Sequence, residues 1–394
     1  MTESTESPIP AGASPSASAA EPALVPVEPI LLKNRIAVLT PDPIAEGAFG
    51  QIYVGKIMNP IGLLAERVVM GEESPRWLGI DDVPYAEPPK DDDKGWLPTP
   101  VTDVVHKARI YKASERLWSE YLDRLKQDRV KAQDEYRDLL NLIDPLLHED
   151  RIIAVKVLRP PIENDPELDQ KIMADSIRRF IKENDILRTL HHPRIVRRFG
   201  LVHDDRMGWC ILLEYIEGET LDVHLRRHPD HRLPLPQAAQ VARDLADALV
   251  YTNGRGVVHR DMKPQNVMIR KDDGRAVIMD FGIGKWTDES QTRQLTMSGV
   301  RVGTPRYMAP EQAKADQPVT SAADVYSLST ILFEMVTGHS AYEGLDYQAI
   351  FDWLGDSARR HPTSLRDFLP AVSREVETLI EVGREKDLEK RWTI

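Results

Sequence analysis

The chain has 394 residues, of which 41% are hydrophobic, and it carries a formal net charge of −12. This length and apolar content suffice for two lobes around a buried core. The acidic balance argues against nucleic acid or an anionic membrane surface as the main partner. Cys210 is the single cysteine, which excludes an internal disulfide and indicates a reducing, cytoplasmic compartment. The sequence contains no apolar run of about 18 residues, so no membrane contact is expected within this segment.

The chain begins with a polar tail, and short predicted strands follow it. Residues 1–30 are rich in Pro, Ser, Ala and Glu. This composition buries too little apolar surface to offset the entropy of ordering, so the tail is predicted to be disordered. Residues 36–38, 51–58 and 152–158 are predicted strands.

An insert, residues 59–150, separates the last two predicted strands. Its first part, 59–100, is rich in Pro, Gly and Asp and is predicted to be loop-like. Its second part, 102–144, carries apolar residues at alternating steps of three and four, which predicts a long helix or a helical hairpin. Thr102 or Asp103 is expected to cap this helix and Pro145 to end it. The stripe is formed by Val104, Ala108, Tyr111, Trp118, Leu122, Leu125, Ala132, Tyr136, Leu139 and Ile143.

Helices alternate with loops in the rest of the chain. Residues 175–190 have the pattern of an amphipathic helix, and residues 325–337 that of an apolar, buried one.

Two motifs near the middle of the chain carry the strongest functional signal. Residues 258–266 read Val-His-Arg-Asp-Met-Lys-Pro-Gln-Asn, and residues 280–282 read Asp-Phe-Gly. In identity, order and spacing they resemble the catalytic loop and the metal-binding turn of protein kinases. Four more segments resemble kinase motifs in the same order: the glycine-rich loop at 45–52, the lysine strand at 154–156, the hinge at 213–218 and the end of the activation segment at 303–311. Gly-Ile-Gly-Lys at 282–285 and the Met-Ala-Pro-Glu-Gln run look most like bacterial eukaryotic-like Ser/Thr kinases.

This resemblance covers residues 36–394 apart from the insert, and it implies an α+β, two-lobed protein kinase fold. Residues 31–213 are then a β-rich N-lobe with one key helix and the helical insert, and residues 214–394 are a mainly helical C-lobe. A kinase C-lobe normally has one more helix after the motif that contains Arg391, so the last helix is expected to be missing here. A membrane anchor beyond residue 394 stays open.

The resemblance also implies a reaction, the transfer of the ATP γ-phosphate to Ser or Thr hydroxyls of a protein substrate. Asp261 would accept the hydroxyl proton, and Lys263 would contact the transferred phosphate. Thr304 would contact both and help to set the choice of a Ser/Thr acceptor. The metal ligands, for Mg²⁺ or Mn²⁺, would be Asn266 and Asp280.

Lys156 would hold the α- and β-phosphates and pair with a glutamate on the next helix, for which Glu183 is the expected partner. The backbone of Glu214 and Ile216 would meet the adenine edge. Ala45 replaces the first glycine of the glycine-rich loop. The positions expected around the nucleotide are Ala45, Gly47, Gly50, Ile52, Ala154, Lys156, Glu214, Ile216 and Met268.

Other positions carry structural or regulatory expectations from the same resemblance. Glu311 would form a buried pair with Arg391, and Asp324 would anchor the catalytic-loop backbone. Among the Ser and Thr residues of 283–303, Thr296 and Ser298 are the expected autophosphorylation sites. A phosphate on one of them would pair with Arg260 and order the segment.

Two alternatives stay open. The first concerns activity: Ala45 and the insert also suit a pseudokinase, an ATP-binding scaffold that acts through its helical insert. The second concerns the insert, which either buries its stripe on the N-lobe or uses 102–144 as a coiled coil for a homodimer or a partner helix.

Overall fold

The computed structural model describes residues 30–32, 36–47, 50–70, 74–78, 80, 83, 101–128, 130–132, 136, 152–159, 166–281, 305–314, 318–356 and 361–392. The predicted disordered tail therefore lies outside the described residues, except that Ile30 belongs to a strand. Thr296, Ser298 and Thr304 also lie outside them.

The first half of the chain forms an antiparallel sheet. Its strands are β1 (Ile30–Leu32), β2 (Ile36–Val38), β3 (Ala45–Gly47), β4 (Gly50–Ile57), β5 (Ile152–Leu158), β6 (Arg198–Asp204) and β7 (Gly208–Glu214). The order is β1-β2-β4-β5-β7-β6, with β3 also paired to β4. The predicted strands at 36–38 and 152–158 are confirmed, and the strand predicted at 51–58 runs from 50 to 57.

The insert leaves the sheet and returns to it at the neighbouring strand. β4 pairs with β5 along almost its whole length, with Gly50 opposite Leu158 and Lys56 opposite Ile152. The two strands therefore pair as if a short turn joined them, and the helices of the insert that the structure describes pack on one side of the sheet.

Both faces of the central strands are buried, because the insert covers the second face. Ala154 and Leu158 belong to the large core between the lobes. Ile153, Val155 and Val157, which point to the opposite face, belong to a second core that the insert completes. This continuous apolar run is what a strand with two covered faces requires.

Two helices of the insert form the cover. They are α1 (Pro60–Val69) and α2 (Val104–Gln127). The prediction that 59–100 is loop-like is wrong for α1, which Asn59 caps by accepting a hydrogen bond from the N–H of Gly62 at 2.7 Å. Since α1 is buried on nearly every side, it shows no polar stripe that would mark it as a helix.

The helix predicted over 102–144 ends earlier than expected. Asp103 caps α2 as predicted, accepting from the N–H of His106 at 2.8 Å. The helix stops at Gln127, where Asp128 is extended, so a continuous helix up to Pro145 is wrong, and Pro145 itself lies outside the described residues. Helix resumes at 130–132, and the rings of Tyr121 and Tyr136 lie 5.2 Å apart. This contact brings the chain after α2 back onto α2, which favours the hairpin.

The buried face of α2 also differs from the predicted stripe. Val104 is 78% exposed, and Ala108 is exposed too. The fully buried positions are Ile110, Ser114 and Tyr121. The Ser114 hydroxyl donates to the carbonyl of Tyr111 at 2.8 Å, so a polar side chain is accommodated in the core without an unpaired donor. The insert therefore buries its apolar face on the N-lobe.

Helix α3 (Pro166–Thr189) follows β5 and packs against the sheet on the side away from the insert. It begins nine residues before the predicted start at Asp175. Phe180, Leu187 and Leu190 of this helix and its end are buried. The arrangement fixes the face of α3 that carries Glu183 toward β5.

The second half of the chain is mainly helical. Its elements are β8 (Gly218–Thr220), α4 (Leu221–Arg227), α5 (Leu235–Asn253), β9 (Val267–Arg270), β10 (Ala276–Ile278), α6 (Ala322–Thr337), α7 (Tyr347–Gly355), α8 (Leu365–Phe368) and α9 (Arg374–Gly383). Helix α6 is the apolar helix predicted at 325–337, and thirteen of its sixteen residues are buried. Within the described ranges, no helix is long and apolar enough to span a membrane.

Candidate active site

Three predicted site residues from separate elements meet at one point. The Lys156 ammonium on β5 donates to Glu183 Oε1 on α3 at 2.6 Å. It also donates to Asp280, which follows β10. The predicted pair between Lys156 and Glu183 is thus present, and the Asp280 carboxylate lies within the same cluster.

The ionisation of this cluster follows from burial and from the single cation. Burial alone would lower the pKa of Lys156, but the carboxylates of Asp280 and Glu183 outweigh it, and its pKa is raised. Burial would raise the pKa of Asp280, yet Lys156 holds it below its usual range. Burial raises the pKa of Glu183. The side chain of Asp280 is 47% exposed, whereas those of Lys156 and Glu183 are 12% exposed, so Asp280 is the carboxylate of this cluster that a divalent cation could approach from solvent.

The catalytic-loop side chains lie beside one another on the neighbouring loop. Lys263 Nζ donates to Asp261 Oδ2 at 2.9 Å. The amide nitrogen of Asn266 donates to the carbonyl oxygen of Asp261 at 2.8 Å and to its Oδ2 at 3.2 Å. The amide nitrogen is thereby used within the loop, which leaves the amide oxygen as the cation ligand of this side chain.

Asn266 and Asp280 are brought together by the strand pair β9–β10. The N–H of Met279 donates to the carbonyl oxygen of Asn266 at 2.9 Å, so Asp280 comes directly after a residue bonded to Asn266. Oxygen donors of this kind suit hard divalent cations such as Mg²⁺ and Mn²⁺. The residues therefore fit the metal that the motif implies.

The backbone of the catalytic loop is hydrogen-bonded to α6. The carboxylate of Asp324 accepts from the N–H groups of His259 and Arg260, both at 2.8 Å. Arg260 has a φ of 67°, a left-handed conformation that is costly for a residue with a Cβ. Gln312, which the sequence analysis did not single out, donates its amide to the carbonyl oxygen of Arg260 at 2.8 Å. In the sequence, only its position directly after Glu311 pointed to a role for Gln312.

His259 is a buried packing residue. Its ring lies 4.7 Å from that of Phe281, and its Nδ1 accepts from the N–H of Asp261 at 3.3 Å. Burial lowers the pKa of His259 to about 4. The imidazole is therefore neutral at pH 7, in keeping with the acceptor role of Nδ1.

The predicted adenine contacts lie around the gap between the lobes. Ala154 is buried, and Ile52 and Met268 pack against the same core. Ile216 is buried as well. Glu214 accepts from Arg270 at 2.8 Å, which ties the hinge to β9.

The glycine-rich segment forms the hairpin of β3 and β4. Ala45 lies opposite Ile52, and Gly47 opposite Gly50. The two residues at its tip, Ala48 and Phe49, lie outside the described residues. A Cβ at Gly50 would lie 2.9 Å from the Val157 carbonyl oxygen, so the close approach of β5 requires glycine there.

The segment after Thr304 is fixed onto the large lobe. Glu311 and Arg391 form the predicted buried pair, with a 2.6 Å bond between Arg391 Nη1 and Glu311 Oε1. Ser327 on α6 donates to the carbonyl oxygen of Tyr307 at 2.7 Å. Tyr307 in turn donates its hydroxyl to Glu334 at 2.5 Å, a contact that the sequence analysis did not anticipate.

Comparison with known proteins agrees with this geometry. The family model for the protein kinase domain matches residues 146–394, more than half of the chain. The chain belongs to the protein kinase family. The match begins within the last residues of the insert, while the pairing of β4 with β5 shows that the strands before the insert complete the same sheet. The kinase family uses ATP together with a divalent metal.

Several bacterial relatives carry related sequences. The chain is 34% identical over 222 residues to the serine/threonine-protein kinase PkaA of Streptomyces coelicolor, covering 56% of this chain and 38% of that protein. It is 34% identical over 204 residues to PknB of Mycobacterium leprae, covering 51% and 30%. The kinase domain of Mycobacterium tuberculosis PknI is similar in structure, with a TM-score of 0.44 and 25% identity over 61% of this chain and 80% of that one. The chain thus spans less than half the length of these two curated relatives.

Proposed function

We propose that this chain is a serine/threonine protein kinase that transfers the ATP γ-phosphate to a protein hydroxyl with Mg²⁺. The observation that carries the proposal is the assembled site: Lys156 contacts Glu183 and Asp280 together, and Asp261 lies on the neighbouring loop. Degenerate kinases usually lose at least one of the four key residues, and this chain keeps Lys156, Asp261, Asn266 and Asp280, which favours an active kinase over the scaffold.

Each side chain has a role that its position supports. Lys156 supplies fixed positive charge for the α- and β-phosphates, and Glu183 orients it. Asn266 and Asp280 would hold the divalent cation, which when bound offsets the charge of the phosphates. Lys263 supplies a second positive charge near the acceptor.

Asp261 is the proposed base. Its carboxylate is held by Lys263 and Asn266, so it is positioned to orient a substrate hydroxyl and accept its proton. Thr304 is the proposed contact of the acceptor, and it immediately precedes Pro305, which is buried and fixed on the large lobe. A protein substrate with a Ser or Thr acceptor is therefore proposed.

Regulation by autophosphorylation is part of the proposal. The backbone of Arg260 forms hydrogen bonds with Asp324 and Gln312. The Cα of Arg260 is therefore fixed beside the base, and its guanidinium extends from there. We propose that phosphate on Thr296 or Ser298 pairs with it. The cytoplasm is the proposed location, supported by the single cysteine.

The test compares the wild type with Asp261→Asn, each incubated with Mg-ATP and then mapped for phosphosites. Asp352→Asn, a change of the same chemistry on α7, is the matched control. Incorporation in the wild type and the control, on Thr296 or Ser298, with none in Asp261→Asn, supports the proposal. Nucleotide binding without incorporation in any variant would instead support the scaffold.

A further inference from the structure

Helix α1 of the insert is buried on almost every side. Ile61, Leu64 and Ala65 are 0% exposed, and even Glu66 is only 4% exposed. A helix that merely covers a sheet keeps one face in solvent. Helix α1 therefore contacts more than the sheet beneath it and α2 above it.

The helix lies against β6, the edge strand of the sheet. A Cβ built on Gly200 of β6 would lie 3.1 Å from Leu63 Cδ1, so the backbone of the strand and the helix approach closely. Leu63 and Arg67 stand one turn apart on the same face. The C-terminal turn of α1 thus extends past Leu63 along this edge of the sheet.

That last turn lies near the end of α3. Met70, the C-cap residue of α1, packs against the core between the lobes and not against the core of the insert. Phe180, Leu187 and Leu190 are the contributions of α3 and its end to that core. Burial, the guanidinium of Arg197 and that of Arg67 lower the pKa of His191, which places Arg67 close to the residue that lies two positions beyond α3.

The large lobe holds the same point from the other side. The N–H of His191 donates to the hydroxyl of Tyr251 on α5 at 2.8 Å, and the ring of His192 lies 4.9 Å from that of Tyr251. The segment that follows α3 therefore contacts α5 directly, and it lies near Arg67 of α1 and shares a core with Met70. Since a helix is stiff over two turns, a shift at Leu190 is passed to Glu183.

On the basis of the proposed kinase function, we propose that Met70 is a positioning residue for the Lys156–Glu183 pair. The C-terminal turn of α1 holds α3 so that Glu183 stays within hydrogen-bond distance of Lys156. The insert is then a built-in brace for the helix that carries Glu183.

Hydrogen–deuterium exchange tests this without depending on activity. In Met70→Ala, amides of α3 between 180 and 190 should exchange about tenfold faster, because a partly buried contact is lost. Met70→Leu should restore the wild-type rate. Ile110→Ala is the matched control, since it opens a cavity in the insert core away from α3. Met70→Val carries the same test if the alanine variant does not fold.

Two exchange results would overturn the inference. One is an unchanged rate in α3 of Met70→Ala. The other is an equal increase in Ile110→Ala, since the effect would then reflect general loss of stability.

A double-mutant cycle supplies the catalytic readout. If Met70 acts through Glu183, Met70→Ala lowers kcat in the wild type but has no further effect in Glu183→Gln. Independent, multiplying losses would overturn the inference. A wild type that incorporates no phosphate would contradict the proposed function, whereas the exchange experiment would still decide the role of Met70.

Discussion

The anchor of the catalytic loop should be measurable through Asp324→Asn. In the wild type one carboxylate accepts two backbone N–H bonds, from His259 and Arg260. Burial raises the pKa of Asp324 to about 6, so the group is ionised at pH 7.5. Asparagine keeps one acceptor oxygen, but its NH₂ group faces the second N–H.

The size of the effect follows from these contacts. A hydrogen bond to a charged group contributes roughly 1.5–3 kcal/mol, and one such bond is lost. The left-handed conformation of Arg260 costs roughly 1–2 kcal/mol, and the remaining Asp324 bond and the Gln312 bond to the Arg260 carbonyl oxygen are left to oppose it. We expect the free energy of unfolding to fall by about 1.5–3 kcal/mol. If the loop relaxes by the same free energy, kcat falls roughly 10- to 150-fold.

The assays are urea denaturation and steady-state kinetics with Mg-ATP. Adding Arg260→Gly to Asp324→Asn should recover about 1 kcal/mol of stability, because glycine adopts positive φ without the penalty of a Cβ. Arg260→Ala, which removes the same side chain but keeps the Cβ, should recover none. An Asp324→Asn variant within about 0.5 kcal/mol and twofold in kcat of the wild type would refute the reasoning.

Three further outcomes follow from buried groups and close contacts. Burial lowers the pKa of His259 to about 4, whereas in the unfolded chain this imidazole binds a proton near pH 6.5. The contribution of His259 to the free energy of unfolding is therefore fully present above pH 6.5. It falls by about 1.4 kcal/mol per pH unit as the pH drops toward 4. Because Asp324, whose pKa burial raises to about 6, contributes a slope of opposite sign, the readout is the stability of the wild type relative to His259→Phe. This difference should fall by about 1.4 kcal/mol per pH unit between pH 6.5 and pH 5 in melts, and a constant difference would contradict it. Arg391→Met leaves a buried carboxylate unpaired and should cost about 3–5 kcal/mol in urea denaturation, a conclusion that a loss below about 1 kcal/mol would exclude. A Cβ at Gly218 would lie 2.0 Å from the Ile269 carbonyl oxygen, so Gly218→Ala should cost about 1–3 kcal/mol, whereas Gly355→Ala, with nothing within 4 Å, should be nearly neutral in the same assay.

The catalytic half of the site was predictable because its motifs are local in sequence. Asp261, Lys263 and Asn266 lie within six residues, so a loop alone brings them together. The pair of Lys156 with Glu183 required only that the next helix pack on the sheet, and α3 does so. Contacts between distant segments, such as Gln312 with Arg260, left no pattern in the sequence.

The insert was the least predictable part, for physical reasons. The periodicity of apolar and polar residues reveals a helix only when one of its faces is exposed to solvent, and α1 has no such face. Its short apolar run was also averaged with the Pro- and Asp-rich residues that follow. In α2 the buried face includes a serine, and two valines are exposed. The buried face therefore differs from the face that the apolar residues alone predict.

The doubly covered sheet has a consequence for how such a chain changes over generations. Joining Ile57 directly to Ile152 would uncover the side chains that now face α1, among them Val155, Val157 and Leu212. Deletion of the insert in one step would therefore expose an apolar surface and lead to aggregation rather than to a smaller enzyme. The added segment is easy to gain, since it leaves the strand pairing intact, and hard to lose, because several polar replacements would have to come first.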